Sequence, residues 1–289
     1  YGGIYRLTLN GGTRSTIIAK CIDLEQKGDH PRGWATSLSH QRKLKSYEVE
    51  DEWYNGYAHV LSKNSKVAQL LYVEKREGTQ LLVLEDLSIK YPKLKSRCTL
   101  KEVFLVVDWL ANFHAQFLGV QPEGLWEIGT YWHLGTRPDE WQVMKDSRLK
   151  RNAQAIDQAL NNAQFKTIVH GDAKVANFCF ANSAVAAVDF QYVGGGVGVK
   201  DLAYFMGSCL DEEECALYEE EILKHYFACL LKAVGLSNKD KQELEKEWRK
   251  LYVFAWADFN RFLLGWLPTH QKLHGFALAK NEPCLSLLD

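Results

Sequence analysis

Two carboxylates and one amide, Asp172, Asn177 and Asp189, stand at the ends of short apolar runs in the middle of the chain. Between Asn177 and Asp189, two apolar runs are joined by the turn-forming pair Asn182-Ser183, and this pattern predicts a β-hairpin. The entrance and the exit of a hairpin lie side by side. The spacing therefore predicts that the three side chains converge on one patch.

Such a patch contains the groups that phosphoryl transfer to a hydroxyl requires. Mg²⁺ prefers hard oxygen ligands and takes a few from the protein, with the rest from phosphates and water. We expect Asn177 and Asp189 to supply metal ligands, which leaves Asp172 to accept the proton of an attacking hydroxyl. A simpler interpretation is that Asp172 and Asn177 form turns and that Asp189 caps a strand end. Three polar residues at this spacing between strands favour the catalytic interpretation.

The order His-x-Asp-x-Lys-x-x-Asn at 170–177, followed by Asp-Phe at 189–190, matches the catalytic loop and metal motif of protein kinases. Gly171 replaces their Arg, and Gln191 replaces the Gly of Asp-Phe-Gly. A His-Gly-Asp loop of this length resembles the kinase-like phosphotransferases of small molecules. These are the aminoglycoside phosphotransferases, the choline kinases and, as the best match, the ecdysteroid-kinase-like group. The resemblance implies ATP as the donor, with Lys174 neutralising charge on the γ-phosphoryl oxygens.

The first sixty residues resemble the ATP-binding part of the same families. Two strands around a turn at Asn10-Gly11-Gly12 lead to Lys20, which by resemblance contacts the α- and β-phosphates. A helix predicted over 39–61 carries Glu50, the expected partner that holds this lysine, with Glu48 as the alternative. No complete glycine-rich loop is present. Either that loop precedes residue 1, with Gly2-Gly3 as its tail, or the phosphates are covered in another way.

A second predicted hairpin, over 68–85, ends in Glu85, Asp86 and Leu87. In the resembling families this point is the hinge between two lobes. The resemblance implies that main-chain groups of these three residues hydrogen-bond the adenine edge. A polar loop is predicted over 24–33, before the helix.

Further helices are predicted after residue 99, over 100–118, over 141–162 as one or two helices, and over 202–210, 212–234 and 239–264. His114 is interpreted as a buried structural residue. Asp201 is expected to cap a helix and, by resemblance, to brace the catalytic loop. The acidic run 211–214 is interpreted as a helix cap, with attraction of a cationic substrate as the alternative. Glycines between 194 and 198 predict a pliant loop.

The C-terminal helix is rich in aromatic residues, and its stretch 259–266 resembles the C-terminal segment of bacterial ecdysteroid-kinase-like proteins. In that family the region helps to form the wall of the acceptor pocket. Aromatic stripes are usually part of the core, so the sequence assigns no individual acceptor-binding residue here.

Composition excludes several other classes of protein. The chain has 289 residues, of which 25% are charged and 46% hydrophobic, as is usual for a globular protein with a sizeable core. A formal net charge of −1 argues against nucleic-acid binding. No apolar run reaches the length of about 18 residues that a membrane span needs. The seven cysteines form no Cys-x-x-Cys pair, which indicates reduced thiols in the cytoplasm and neither a zinc site nor disulfides.

These observations predict an α+β protein with the two-lobed protein-kinase-like fold. Residues 1–86 would form a β-rich ATP-binding lobe, and residues 87–289 a mainly helical lobe for catalysis and acceptor binding. The expected activity is Mg²⁺-dependent transfer of the γ-phosphoryl group of ATP to a hydroxyl of a small molecule. A silent nucleotide-binding pseudokinase is the alternative, and a protein kinase is disfavoured because the activation segment is missing. The acceptor and the oligomeric state stay open.

Overall fold

A computed structural model of the chain describes residues 2–25 and 37–289. Its strands, in chain order, are β1 Gly2–Thr8, β2 Thr16–Asp23, β3 Leu70–Arg76, β4 Thr79–Glu85, β5 Thr167–Val169, β6 Phe178–Phe180, β7 Val185–Ala187 and β8 Gly194–Gly196. Its α-helices are α1 Ser37–Glu52, α2 Leu100–Gln116, α3 Pro138–Val143, α4 Arg148–Arg151, α5 Ala153–Asn161, α6 Val199–Cys209, α7 Glu212–Ala233, α8 Asn238–Trp266, α9 Gly275–Ala279 and α10 Asn281–Ser286. The predicted loop at 24–33 lies mostly outside the described residues.

The first four strands form one antiparallel sheet in the order β1-β2-β4-β3. Gly11 and Gly12 both have positive φ, which the tight turn between β1 and β2 requires. Helix α1 packs on this sheet, because Val49 on α1 joins the same apolar core as Leu82 and Leu84 on β4. The sheet therefore holds Lys20, on β2, opposite α1.

The predicted helix over 39–61 is interrupted. Helix α1 ends at Glu52, and the chain continues as a wide π-helical turn, Trp53–Tyr57, and then a short 3-10 turn. Trp53 and Tyr54 are adjacent, yet both are buried. The wider turn allows both rings to face the core, a change that the period of an α-helix does not predict.

The remainder of the chain is mainly helical. Helix α2 packs along α7, and α8 packs against α5 and α6, around a continuous apolar core. Asp211 and Glu214 form a reciprocal capping box at the start of α7, and Arg97 pairs with both carboxylates. The acidic run is thus occupied by capping, as the favoured interpretation predicted.

Two predictions in this part were wrong. The one or two helices expected over 141–162 are three short helices, α3 to α5, because Pro138 begins the first and Ser147 caps the second. The glycines expected to form a pliant loop are instead strand β8, which pairs with β5. A Cβ atom at Gly194 would overlap the carbonyl oxygen of Trp126, so glycine permits close packing at this position.

The predicted α+β class is confirmed: a β-rich N-terminal part precedes a mostly helical one. The boundary at residues 86 and 87 stays a prediction.

The contact between α8 and α3 gives a test of the helical packing. Gly265 on α8 leaves no space for a side chain, because a Cβ atom there would overlap the carbonyl oxygen of Glu140. We expect Gly265→Ala to lower the free energy of unfolding by about 1–3 kcal/mol, as overpacking does in other cores. Gly235→Ala is the matched control, since no atom lies within 4 Å of its added Cβ. Chemical denaturation of both variants measures the difference, and equal stability would contradict this packing.

Candidate active site

A buried carboxylate holds the loop that carries Asp172. Asp201 accepts hydrogen bonds from the backbone N–H groups of His170, at 2.6 Å, and Gly171, at 3.0 Å. The Nε2 atom of His114 lies 3.1 Å from the same carboxylate. Asp201 makes no capping bond to its own helix, α6, so the predicted capping role is wrong. Its carboxylate instead fixes the backbone before Asp172, and His114 is buried and structural as predicted.

The sharp turn before Asp172 depends on glycine. Gly171 has a φ of +79°, in the left-handed region that disfavours other residues. A Cβ atom there would also overlap the carbonyl oxygen of Tyr192. The His-Gly-Asp form of this loop thus follows from its close packing against the segment after Asp189.

The two oxygens of Asp172 have different surroundings. Oδ2 accepts hydrogen bonds from Lys174 Nζ, at 2.8 Å, and from Asn177 Nδ2, at 3.0 Å. Oδ1 is buried and has no hydrogen-bond partner among the described residues. Burial raises the pKa of Asp172; the charge of Lys174 opposes this shift and that of Asp189 adds to it. An acceptor with one unused oxygen and an elevated pKa is suited to take a proton from a hydroxyl.

Asn177 and Asp189 fit the predicted magnesium site. The amide nitrogen of Asn177 donates to Asp172, so its carbonyl oxygen is the atom left for a cation. Val188 N bonds Asn177 O at 3.0 Å, which brings the two ends of the hairpin together. Asp189 has a φ of +67°, and its carboxylate makes no hydrogen bond or ion pair with any residue in 2–25 or 37–289. An amide oxygen and a free carboxylate are the hard ligands that Mg²⁺ prefers.

A polar network connects β2, α1 and the segment after Asp189. Lys20 forms a close ion pair with Glu50, and both side chains are largely buried. Gln191 Nε2 lies 3.4 Å from Glu50 Oε2, while Gln191 Oε1 accepts from Lys43 at 2.9 Å. Burial raises the pKa of Glu50, and the charge of Lys20 opposes that shift. The alternative partner, Glu48, is exposed and makes no contact with Lys20 among the described residues.

Stacked aromatic rings hold the Asp-Phe pair, residues 189–190, in place. The ring of Phe190 stacks on Trp53 at 4.5 Å and lies 4.6 Å from the ring of His170. All three side chains are fully buried. Because Asp189 precedes Phe190, this packing holds Asp189 at the cavity wall.

The side chains at the predicted hinge are engaged in structural contacts. Glu85 binds Lys66, while Asp86 accepts hydrogen bonds from Thr16 at 2.8 Å and pairs with Arg6. Burial alone would raise the pKa of Asp86, but hydrogen bonds from neighbouring hydroxyl and N–H groups outweigh it and lower the pKa. The carbonyl oxygen of Leu87 accepts from two backbone N–H groups. These contacts leave any adenine recognition to other main-chain atoms of the hinge.

One cavity of about 760 Å³ connects the hinge with the hairpin. The sequence-predicted residues that line it are Lys20, Glu50, Glu85, Asp86, Leu87, Asn177 and Asp189. Gly2 and Gly3 line the same cavity from β1. Asp172 and Lys174 are outside this lining but joined to it through Asn177. The structure thus brings all nine predicted site residues into one continuous region.

Sequence reasoning missed two residues of this site, Lys43 and Gln191. Lys43 lies on α1, two turns before Glu50, and it lines the cavity. Burial lowers the pKa of Lys43, and the charge of nearby Lys20 lowers it further. The spacing of seven residues between Lys43 and Glu50 places both on one helix face, and this was the signal available in the sequence.

Comparison with known proteins agrees with this geometry. The model of the ecdysteroid kinase-like family matches residues 132–238, a little over a third of the chain, and this segment contains the catalytic loop. A choline kinase from Cryptosporidium parvum Iowa II has a similar structure, with a TM-score of 0.58, 11% identity, and coverage of 98% of this chain and 85% of that one. Comparison with curated protein sequences gave no match.

Two further solved structures have the same fold. The microcompartment-associated aminopropanol kinase gives a TM-score of 0.52 at 14% identity, covering 97% of this chain and 89% of the other. An amicoumacin kinase in complex with AMP-PNP and Ca²⁺ gives 0.51 at 13% identity, covering 98% and 84%. The chain therefore has the fold of the kinase-like phosphotransferases that act on small molecules. The resemblance predicted from the sequence is confirmed. The family match over residues 132–238 is to the ecdysteroid kinase-like group, which the sequence motifs also favoured.

The lengths and polarity of the described helices bear on whether any of them could span a membrane. Within 2–25 and 37–289, every helix is either too short or too polar to cross a bilayer.

Because burial raises the pKa of Asp172, we expect its ionised carboxylate, which the proposed catalysis needs, to lower the stability of the fold at neutral pH. A carboxyl whose pKa is raised by folding stabilises the fold at low pH, and this contribution is lost as the pH rises through the raised pKa. We therefore expect Asp172→Asn to have a higher Tm than the wild type at pH 8, with the difference shrinking below the usual pKa of 3.8. Thermal unfolding from pH 3 to pH 8 measures it. A wild type as stable as the variant at pH 8 would contradict the prediction.

Proposed function

We propose that this chain is a kinase that transfers the γ-phosphoryl group of ATP to a hydroxyl group of a small molecule, with Mg²⁺. The observation that carries this proposal is the unpartnered Asp172 Oδ1, placed next to a cavity lined by a buried Lys–Glu pair and two metal-ligand candidates. The predicted division into an ATP-binding lobe, 1–86, and a catalytic and acceptor lobe, 87–289, is part of the proposal, as is the cytoplasmic location.

The proposed acceptor chemistry uses the free oxygen of Asp172. Oδ1 accepts the proton of the acceptor hydroxyl as the hydroxyl oxygen attacks the γ-phosphorus. The bond from the γ-phosphorus to the bridging oxygen breaks, and ADP leaves with the electron pair. Lys174, which donates to Oδ2, would offset charge on the γ-phosphoryl oxygens. General-base catalysis of this kind contributes roughly 10²–10⁴ in rate.

The proposed nucleotide site uses the charged residues of the cavity. Lys20, oriented by Glu50, would bind the α- and β-phosphates, and Lys43 adds a second ammonium on the same wall. When bound through Asn177 and Asp189, Mg²⁺ would neutralise phosphate charge and orient the γ-phosphoryl group. The adenine edge would meet main-chain groups of Glu85, Asp86 and Leu87 other than the Glu85 N–H and the Leu87 carbonyl, which are already used.

The short segment after Asp189 favours a small-molecule acceptor over a protein acceptor. It reaches Asp201 in twelve positions, and its backbone at 192–196 is hydrogen-bonded to the 126–130 loop and to β5. A protein kinase presents its substrate on a long activation segment, and this chain has no comparable length of backbone between Asp189 and Asp201.

The direct test is Mg²⁺-dependent ADP release over a panel of sterol, amino-sugar, choline-like and nucleoside alcohols. We expect one class to stimulate release, and Asp172→Asn to lower the stimulated rate by about 10²–10⁴ while nucleotide still binds. Retention of the full rate in Asp172→Asn would refute the assigned base. Nucleotide binding without release for any class would favour the pseudokinase alternative.

The Lys20–Glu50 pair gives a matched comparison on one helix. Glu50→Gln removes the charge that orients Lys20, so we expect kcat/KM for ATP to fall by about tenfold to a hundredfold, or roughly 1.4–2.8 kcal/mol. Glu48→Gln is the control, because Glu48 is exposed and pairs with Lys45 at 3.8 Å. Steady-state kinetics at varied ATP distinguish the two, and equal effects would count against Glu50 as the partner of Lys20.

A further inference from the structure

A cluster of aromatic rings lies near Asp172, since Tyr131 N donates to the carbonyl oxygen of Gly171, the preceding residue, at 3.0 Å. Its members are Tyr131, Trp132, Tyr204, Phe259 and Phe262, hereafter the aromatic cluster. The rings of Trp132, Tyr204 and Phe259 lie within 4.7–5.0 Å of one another. Burial raises the pKa of Tyr131 and Tyr204, and the charge of Asp172 raises both further.

An ammonium group of the chain itself occupies this cluster. Lys272 Nζ lies 4.5 Å from the ring centroid of Tyr204 and 5.8 Å from that of Phe259. Ammonium groups bind aromatic faces at such distances, and aromatic cages use this attraction to recognise cationic ligands. Among the described residues, the Lys272 side chain has no hydrogen bond or ion pair with another side chain. Its contacts are those that a cationic ligand would make.

The loop that carries Lys272 is anchored at both sides of this residue. The backbone N–H of Lys272 donates to His270 Nδ1 at 3.1 Å, and Leu273 N donates to His270 O at 2.9 Å. Leu273 also packs against the aromatic cluster. Lys272 is therefore held over the rings by its backbone, between α8 and α9.

The charges around Asp172 also disfavour a further cation. Burial lowers the pKa of Lys272 to about 8; the charge of Asp172 opposes this shift, and that of Lys174 adds to it. At pH 7 the Lys272 ammonium is still mostly protonated. Two ammonium groups, those of Lys174 and Lys272, thus act on the one carboxylate of Asp172, and a cationic acceptor would bring a third positive charge near it.

We propose that Lys272 is a specificity-determining residue that fills the cation-binding face of the aromatic cluster, so that the acceptor is a hydroxyl compound without an ammonium group near its reacting hydroxyl. This inference rests on the proposed function, because it takes the space beside Asp172 as the acceptor site. The acceptors that fit are neutral or anionic alcohols with an apolar face to lie on the rings.

The test compares two ligands of the same shape and different charge. Choline is measured against its carbon isostere, an alcohol in which a tert-butyl group replaces the trimethylammonium group. Binding is followed by the methyl resonances of each ligand, without ATP, for the wild type, Lys272→Ala and Lys272→Ser. We expect the wild type to bind the neutral isostere at least as well as choline. Both variants should shift the ratio of affinities at least about tenfold toward choline, since the rings become free.

Lys280→Ala is the matched control. Lys280 Nζ lies 4.4 Å from the ring centroid of Phe276, so this variant also removes an ammonium from an aromatic face, away from Asp172. Its ratio of affinities should equal that of the wild type. Adding Phe259→Leu to Lys272→Ala should remove most of the gain, because it deletes one ring of the cluster.

The inference is overturned if the wild type prefers choline as strongly as Lys272→Ala and Lys272→Ser do. Melting temperatures of the variants, measured alongside, confirm that the folded protein is compared. Since no nucleotide is present, the result does not depend on turnover. Absence of ADP release with every alcohol would contradict the proposed kinase activity and leave a change in charge selectivity standing.

Discussion

The geometry of the candidate active site depends on the carboxylate of Asp201, which is completely buried. It accepts hydrogen bonds from two backbone N–H groups of the catalytic loop and contacts a ring nitrogen of His114 on α2. The carboxylate therefore joins three elements that are distant in sequence. A buried carboxylate is costly unless its oxygens are hydrogen-bonded, and here both are. Any displacement of α6 or α2 would leave that charge unpaired. This interaction therefore holds the catalytic loop in place, and breaking it would cost free energy.

Much of the site could be predicted because its residues have a fixed order along the chain. The hairpin pattern alone predicted that Asp172, Asn177 and Asp189 converge. In the structure Asn177 donates to Asp172, and Val188, which precedes Asp189, donates to the carbonyl oxygen of Asn177. The choice of Glu50 over Glu48 also agrees with the structure, in which Glu50 alone of these two glutamates contacts Lys20. The sequence was informative where local spacing determines which side chains meet.

Other features depend on tertiary contacts that local spacing does not contain. In the sequence, Gln191 is a departure from the Asp-Phe-Gly motif. In the fold its side chain contacts Glu50 and Lys43, and so links the segment after Asp189 to α1. The interruption after α1 arises because Trp53 packs on Phe190, which is more than a hundred residues away. Lys272 lies in a polar loop, and nothing near it in sequence indicates that its ammonium meets Tyr204. In each case the partner comes from a distant part of the chain.

The backbone between Asp189 and Asp201 is short and is hydrogen-bonded to neighbouring elements over 191–196, which has a consequence for regulation. Protein kinases are switched by covalent modification of a segment that can change between two arrangements. Here β8 pairs with β5, Trp126 Nε1 donates to Gln191 O at 2.8 Å, and Phe190 is already packed inside. If the proposed transfer takes place, the protein would be constitutively competent. Its output would then follow the concentrations of its two substrates, in the manner of a housekeeping or detoxifying activity and unlike a signalling relay.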